Sequence, residues 1–203
     1  MNPEPEIRRL LDLMPASGRM MSKLVSKPEQ SKVIEGDLPL PWTRERLISI
    51  NFDLWSQLNK PQRDLTILRT VSWQGSVRWF KPDLYKGLSV AGLVGTVVEL
   101  VQQDAMGILM AGGLTAIAVT QIWRSSRSSR LELEADETAL RVAERRGYTP
   151  SEAARSLFSA IEAVAKIEGR PSLNFTELVR CQNLKAIAGI SAIGVPESYK
   201  QES

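Results

Sequence analysis

The sequence predicts a mainly α-helical protein with a small β element, an α+β chain, and three observations carry that reading. Ser129 with Glu132, Thr149 with Glu152, and Asn174 with Glu177 all have capping-box spacing, with Gly147 and Gly169 where helices should stop. "RLISINFDLW" alternates, so Ile48, Ile50, Phe52 and Leu54 share one face of a half-buried strand. Two long apolar stretches, 87–101 and 105–123, have the length of helices.

Taken in order, residues 5–14 form an amphipathic helix stopped by Pro15 and Gly18. Residues 21–45 carry Pro28, Pro39 and Pro41 and read as an extended arm with one strand, "SKVIE", so residues 1–45 are set apart as an N-terminal helix and arm. The alternating strand then leads to a helix that starts at Asn59, Pro61 and Gln62 and buries Leu65, Leu68 and Ser72, with Ile67 and Val71 beside them.

The apolar stretches would span roughly 22 and 28 Å as helices, at about 1.5 Å per residue. Small residues recur four apart, Ala91 with Gly95 and Gly107 with Ala111 among them, which predicts an αα-hairpin over 87–123 turning at "QQD". Basic residues flank it on both sides. A buried soluble hairpin and a shallow one dipping into a membrane from the cytoplasmic side both fit. Farther on, Ala154, Leu157, Phe158, Ile161, Val164 and Ile167 give one helix an apolar face; Phe175, Leu178, Val179 and Leu184 do so for the last. Residues 46–190 make the main helical domain and 191–203 a flexible tail.

Composition excludes several function classes. The net charge of +3 over 203 residues is far below the footprint of a nucleic-acid binder. One cysteine, Cys181, precludes an internal disulfide and reads as an inert core thiol. The N-terminus has acids and prolines where a signal peptide would be basic and then apolar, which implies no export and a cytoplasmic location. The chain has no histidine, which removes the commonest metal ligand and general base. No cofactor and no metal is expected.

"LELEADETALRVAERRGYTP" at 131–150 resembles the third-ligand region of the M48 zinc metalloproteases, with Glu132 at the ligand glutamate and Asp136 at the supporting aspartate. The likeness covers roughly residues 45–165 and implies a metalloprotease-like helical domain. The chain also resembles an uncharacterised cyanobacterial family, on "MPASGRM" and "WRSSRSSRLELEAD". The M48 pattern requires H-E-x-x-H on an earlier helix, and here that helix bears "LRTVSWQGS". In one register Arg69, Thr70 and Trp73 replace the two histidines and the glutamate; in the other, Val71, Ser72 and Gly75 do. Under either, zinc-bound water can be neither held nor activated, so the resemblance implies a pseudoenzyme with Arg69, Trp73, Glu132 and Asp136 as its vestigial site.

Glu132 also has a plainer role, closing the Ser129 capping box near the positive end of its helix. If the two helices face each other, Arg69 takes the metal's place and pairs with Glu132 or Asp136, and Arg69→Met would cost about 3 kcal/mol or more. Trp79, Arg124, Arg127 and Arg130 are candidates for contact with a membrane surface or a partner, against the plainer readings of a core tryptophan and a solvated connector. The expected function is therefore non-catalytic: a protein-interaction or assembly factor with another protein as partner and a membrane surface nearby. The alternative is a hydrolase of another class with a histidine-free site, since serine, lysine and carboxylate chemistry does not require histidine.

Overall fold

The computed structural model describes residues 1–38, 45–76 and 129–191; the stretch 87–123 expected to form an apolar hairpin, most of the tail, and Trp79, Arg124 and Arg127 lie outside them. Helix α1 (Pro3–Leu13) starts where Asn2 caps the Glu4 N–H, with proline at a first-turn position and Glu4 and Glu6 at the positive end of the helix. It ends at Met14, before Pro15. Gly18 does not terminate that helix. It lies inside a second one, α2 (Ala16–Met21), and is buried there. The reason is packing: a Cβ at Gly18 would sit 2.5 Å from Cγ1 of Val71, so only glycine lets α2 lie this close to its neighbour.

The expected arm, residues 21–45, supplies two strands of a sheet where one was expected. Strands β1 (Ser22–Ser26) and β2 (Ile34–Gly36) flank β3 (Arg46–Ile50), β1 in parallel and β2 antiparallel. "SKVIE" thus contributes only its last two residues to a strand. The β1 pairing was not foreseen, because Ser22 pairs with Arg46 across a long connection and leaves no local pattern. The alternation of β3 also stops earlier than expected. Asn51 is buried, accepts from the Asp53 and Leu54 N–H groups and donates to the Pro28 and Gln30 carbonyls. It thereby caps the short helix α3 (Phe52–Trp55), which seats Phe52 and Trp55 in the core.

Helix α4 (Lys60–Ser76) begins as its sequence predicts, with Asn59 and Gln62 bonding each other's backbone N–H reciprocally. It buries Leu65, Ile67, Leu68 and Val71, while Ser72 is only half-buried. At its far end the buried Gln74 amide donates to the Asp37 and Leu47 carbonyls, which ties α4 to the sheet. Helices α5 (Ser129–Glu144), α6 (Pro150–Ile167) and α7 (Phe175–Ile187) complete the described fold. Both capping boxes at Thr149 and Asn174 are present, and Gly147 and Gly169 take positive φ. Helix α4 packs on α5 and α6, and α7 packs on both of those.

On α6, Ala154, Leu157 and Ile161 are buried, as expected. On α7 the expected face holds only in part: Leu184 is buried as expected and Val179 half-buried, but the other two residues are not. Phe175 and Leu178 are 67% and 54% exposed, while Arg180, Cys181 and Asn183 turn inward beside Leu184. Apolar spacing alone selected the outer stripe, because the true inner face carries an arginine and an asparagine. The result is a mainly helical chain with a small three-stranded sheet, and its core runs from Leu10 and Met14 through Ile48, Trp55 and Leu65 to Leu157 and Leu184.

Candidate functional site

The facing surfaces of α4 and α5 bring Arg69 against both carboxylates singled out in the sequence. Glu132 and Asp136 are one turn apart on α5, so they project from one face of the helix. Arg69 Nη2 ion-pairs closely with Glu132 Oε2, and its Nε lies 3.7 Å from Asp136 Oδ1. Glu132 is therefore engaged across the helix interface rather than serving only its own helix end. A second arginine, which the sequence did not single out, holds the deeper acid. Arg180 of α7 donates from Nε and Nη2 to Asp136 Oδ2 and Oδ1 at 2.8 and 2.7 Å. Its Nη1 reaches to 4.0 Å from Glu132.

This is the two-pronged geometry that suits guanidinium to carboxylate, and it is buried. The Asp136 side chain is 0% exposed and Arg180 9%. Burial pulls the Arg180 guanidinium down, but the charge and hydrogen bonds of Asp136 outweigh it and the net direction is up. Arg69 shifts down, because burial and the like charge of Arg180 outweigh Asp136 and Glu177. Two cations against two anions leave the cluster neutral. A further triad lies beside it: Arg170 bridges Glu168 and Glu177, while Glu168 also accepts from the Val33 N–H beside the sheet. Beside Arg180, burial pushes the Cys181 thiol up to about 11, so it remains protonated at neutral pH.

The residues present do not fit a zinc ion. Both oxygens of Asp136 and one of Glu132 already face guanidinium groups, and two positive charges stand where a dication would have to enter. Among the described residues no group of three acidic, cysteine or histidine side chains could hold a metal. Thr70, which the resemblance matches to a catalytic glutamate in one register, is buried and its hydroxyl donates to the Thr66 carbonyl of its own helix. Trp73 is half-buried, and its indole Nε1 is buried with no hydrogen-bond partner. Of the alternative set, Val71 packs toward Gly18, Ser72 is half-buried and Gly75 is exposed. Arg69 is thus the residue that confronts the carboxylates. Arg130 is an exposed residue in the first turn of α5.

A second polar cluster lies where α1 meets α4 and the turn before α6, and sequence reasoning passed over it. Glu6 accepts from Arg9, from Arg63 and from the Trp55 indole at 3.2 Å. Asp64, 2% exposed, binds Arg9 through one oxygen and the Tyr148 hydroxyl through the other at 2.8 Å. Burial, together with the Asp64 hydrogen bond and charge, pushes the Tyr148 phenol up to about 12. The available signal was Asp64 itself: an acid one residue before Leu65, inside the apolar face of α4, requires a partner.

The fold and the two clusters together define a small helical protein whose helices are cross-linked by buried arginine–carboxylate pairs. Residues 8–148 match the family described as "protein of unknown function (DUF3318)", and the chain belongs to that family. It is 33% identical over 130 residues to the thylakoid membrane protein slr1949 of Synechocystis sp., a match covering 62% of this chain. The chain spans only 60% of the length of that relative. No solved structure matches it.

Proposed function

We propose that this protein is a non-catalytic, metalloprotease-like scaffold that binds another protein, held at a membrane surface on its cytoplasmic side. The observation that carries the reading is Arg69 lying between α4 and α5 against Glu132 and Asp136, where the metalloprotease resemblance would put a metal ion. A guanidinium can neither activate water nor polarise a carbonyl as a zinc ion does, but it holds two helices in register. The absence of histidine supports the same reading. The membrane part rests on the name of the Synechocystis relative and on the apolar stretches of 87–123. No helix among the described residues is long and apolar enough to cross a membrane.

Affinity purification of the tagged full chain from native membranes tests the binding role, run beside a general hydrolase screen of the purified protein. Stoichiometric recovery of a partner with no hydrolysis supports the proposal. Hydrolysis above a no-enzyme control that is lost on changing a serine, lysine or carboxylate would replace it with the histidine-free enzyme. Carbonate extraction addresses the membrane: retention in the pellet supports an embedded hairpin, and release supports peripheral attachment.

A further inference from the structure

A cavity of about 430 Å³ opens between the end of α1, the start of α4 and the turn joining α5 to α6. Ion pairing sorts the charges that line it. Asp64 has one oxygen bound by Arg9 and the other by Tyr148, and Arg9 is itself bound to Glu6. Asp12 lies 3.5 Å from Arg19. Lys60 and Arg146 remain. Arg146 donates from Nε and Nη2 to the Leu13 and Met14 carbonyls, which are neutral, and its Nη1 is left open. Among the described residues neither Lys60 nor Arg146 has a carboxylate within ion-pair reach, so two uncompensated positive charges face the cavity. Such a field concentrates anions, and charge-assisted donors fixed by the fold hold them better than mobile surface lysines do. Arg146 is fixed in this way by the end of α1.

We propose that this cavity binds an anionic group of the phosphate or sulfate class, free or as a lipid headgroup, with Lys60 Nζ and Arg146 Nη1 as its donors. Leu13 and Tyr148 also line the cavity, which is larger than the anion and leaves room for the molecule that bears it. Nothing in this assignment depends on the role of the cluster between α4 and α5.

Magnetic-resonance titration of the full chain with inorganic phosphate, against sodium chloride at matched ionic strength, is the first arm of the test. The expected result is saturable shifts at Lys60, Gly147 and Tyr148, with affinity weakened about tenfold or more in Lys60→Glu. Lys60 is exposed, so its replacement leaves the fold intact; Arg146→Gln is a second variant that also loosens the end of α1. The second arm is flotation with phosphatidylcholine vesicles, with and without phosphatidylglycerol. Lys60-dependent flotation on the anionic vesicles identifies a lipid headgroup as the source, and phosphate binding without flotation identifies a free ester. Lys60-dependent binding to neither probe, or equal shifts with chloride, overturns the proposal.

Discussion

Replacing Arg180 by methionine should cost more stability than any other single change at the α4–α5–α7 junction. Methionine keeps most of the side chain's apolar volume and removes its charge. Asp136, 0% exposed, would lose both of its short hydrogen bonds, at 2.7 and 2.8 Å, and keep only Arg69 Nε at 3.7 Å. Stranding a buried ion in this way costs about 3–5 kcal/mol. Arg69→Met is milder. It leaves Asp136 fully bonded to Arg180 and exposes a Glu132 that is already 14% accessible, so its loss is about 1–3 kcal/mol. The larger penalty is therefore expected at Arg180 and not at Arg69. The decisive variant is Arg180→Met combined with Asp136→Leu, which removes both partners and should recover at least half of the single-variant loss. Urea denaturation followed by circular dichroism measures all three. A loss below about 1 kcal/mol for Arg180→Met, or a double variant costing the sum of its parts, would refute the argument.

Three further outcomes follow from the structure. Elemental analysis of the purified protein should find no stoichiometric zinc, and about one zinc per chain would overturn the account of Arg69. The Tyr148 phenol, held near 12 against an ordinary 10, should titrate late: the difference between wild-type and Tyr148→Phe absorbance titrations reports it. Because the folded value is the higher one, its contribution to stability is complete below pH 10 and lost as pH rises through 12. Gly18→Ala should lower stability by about 1 kcal/mol in urea denaturation, because the clash with the stiff Val71 outweighs alanine's better helix propensity; a gain in stability would show that α2 can move away.

The parts of the fold written in local chemistry were legible: the caps at Asn59, Thr149 and Asn174, the glycine stops at Gly147 and Gly169, and the strand at Ile48 and Ile50. What was illegible depends on distant partners. β1 exists because Ser22–Ser26 finds Arg46–Ile50, and Gly18 sits inside a helix because of Val71. The site divides along the same line. Glu132, Asp136 and Arg69 could be named from spacing and a resemblance, whereas Arg180 could not. With Phe175 and Leu178 taken as the inner stripe of α7, Arg180 fell outside it; only their exposure reveals that the inner face carries the charge.

The separation of the Asp136 pair along the chain has a consequence for the order in which the protein matures. Arg180 lies 44 residues after Asp136. At about 5–20 residues per second, the ribosome adds that segment in roughly 2–9 s, so the aspartate is made well before the guanidinium that holds it. Asp136 cannot gain its two buried hydrogen bonds until α7 is made. Completion of the last described helix is therefore the step that locks the interior, and an unfinished chain keeps a hydrated, openable seam at that place.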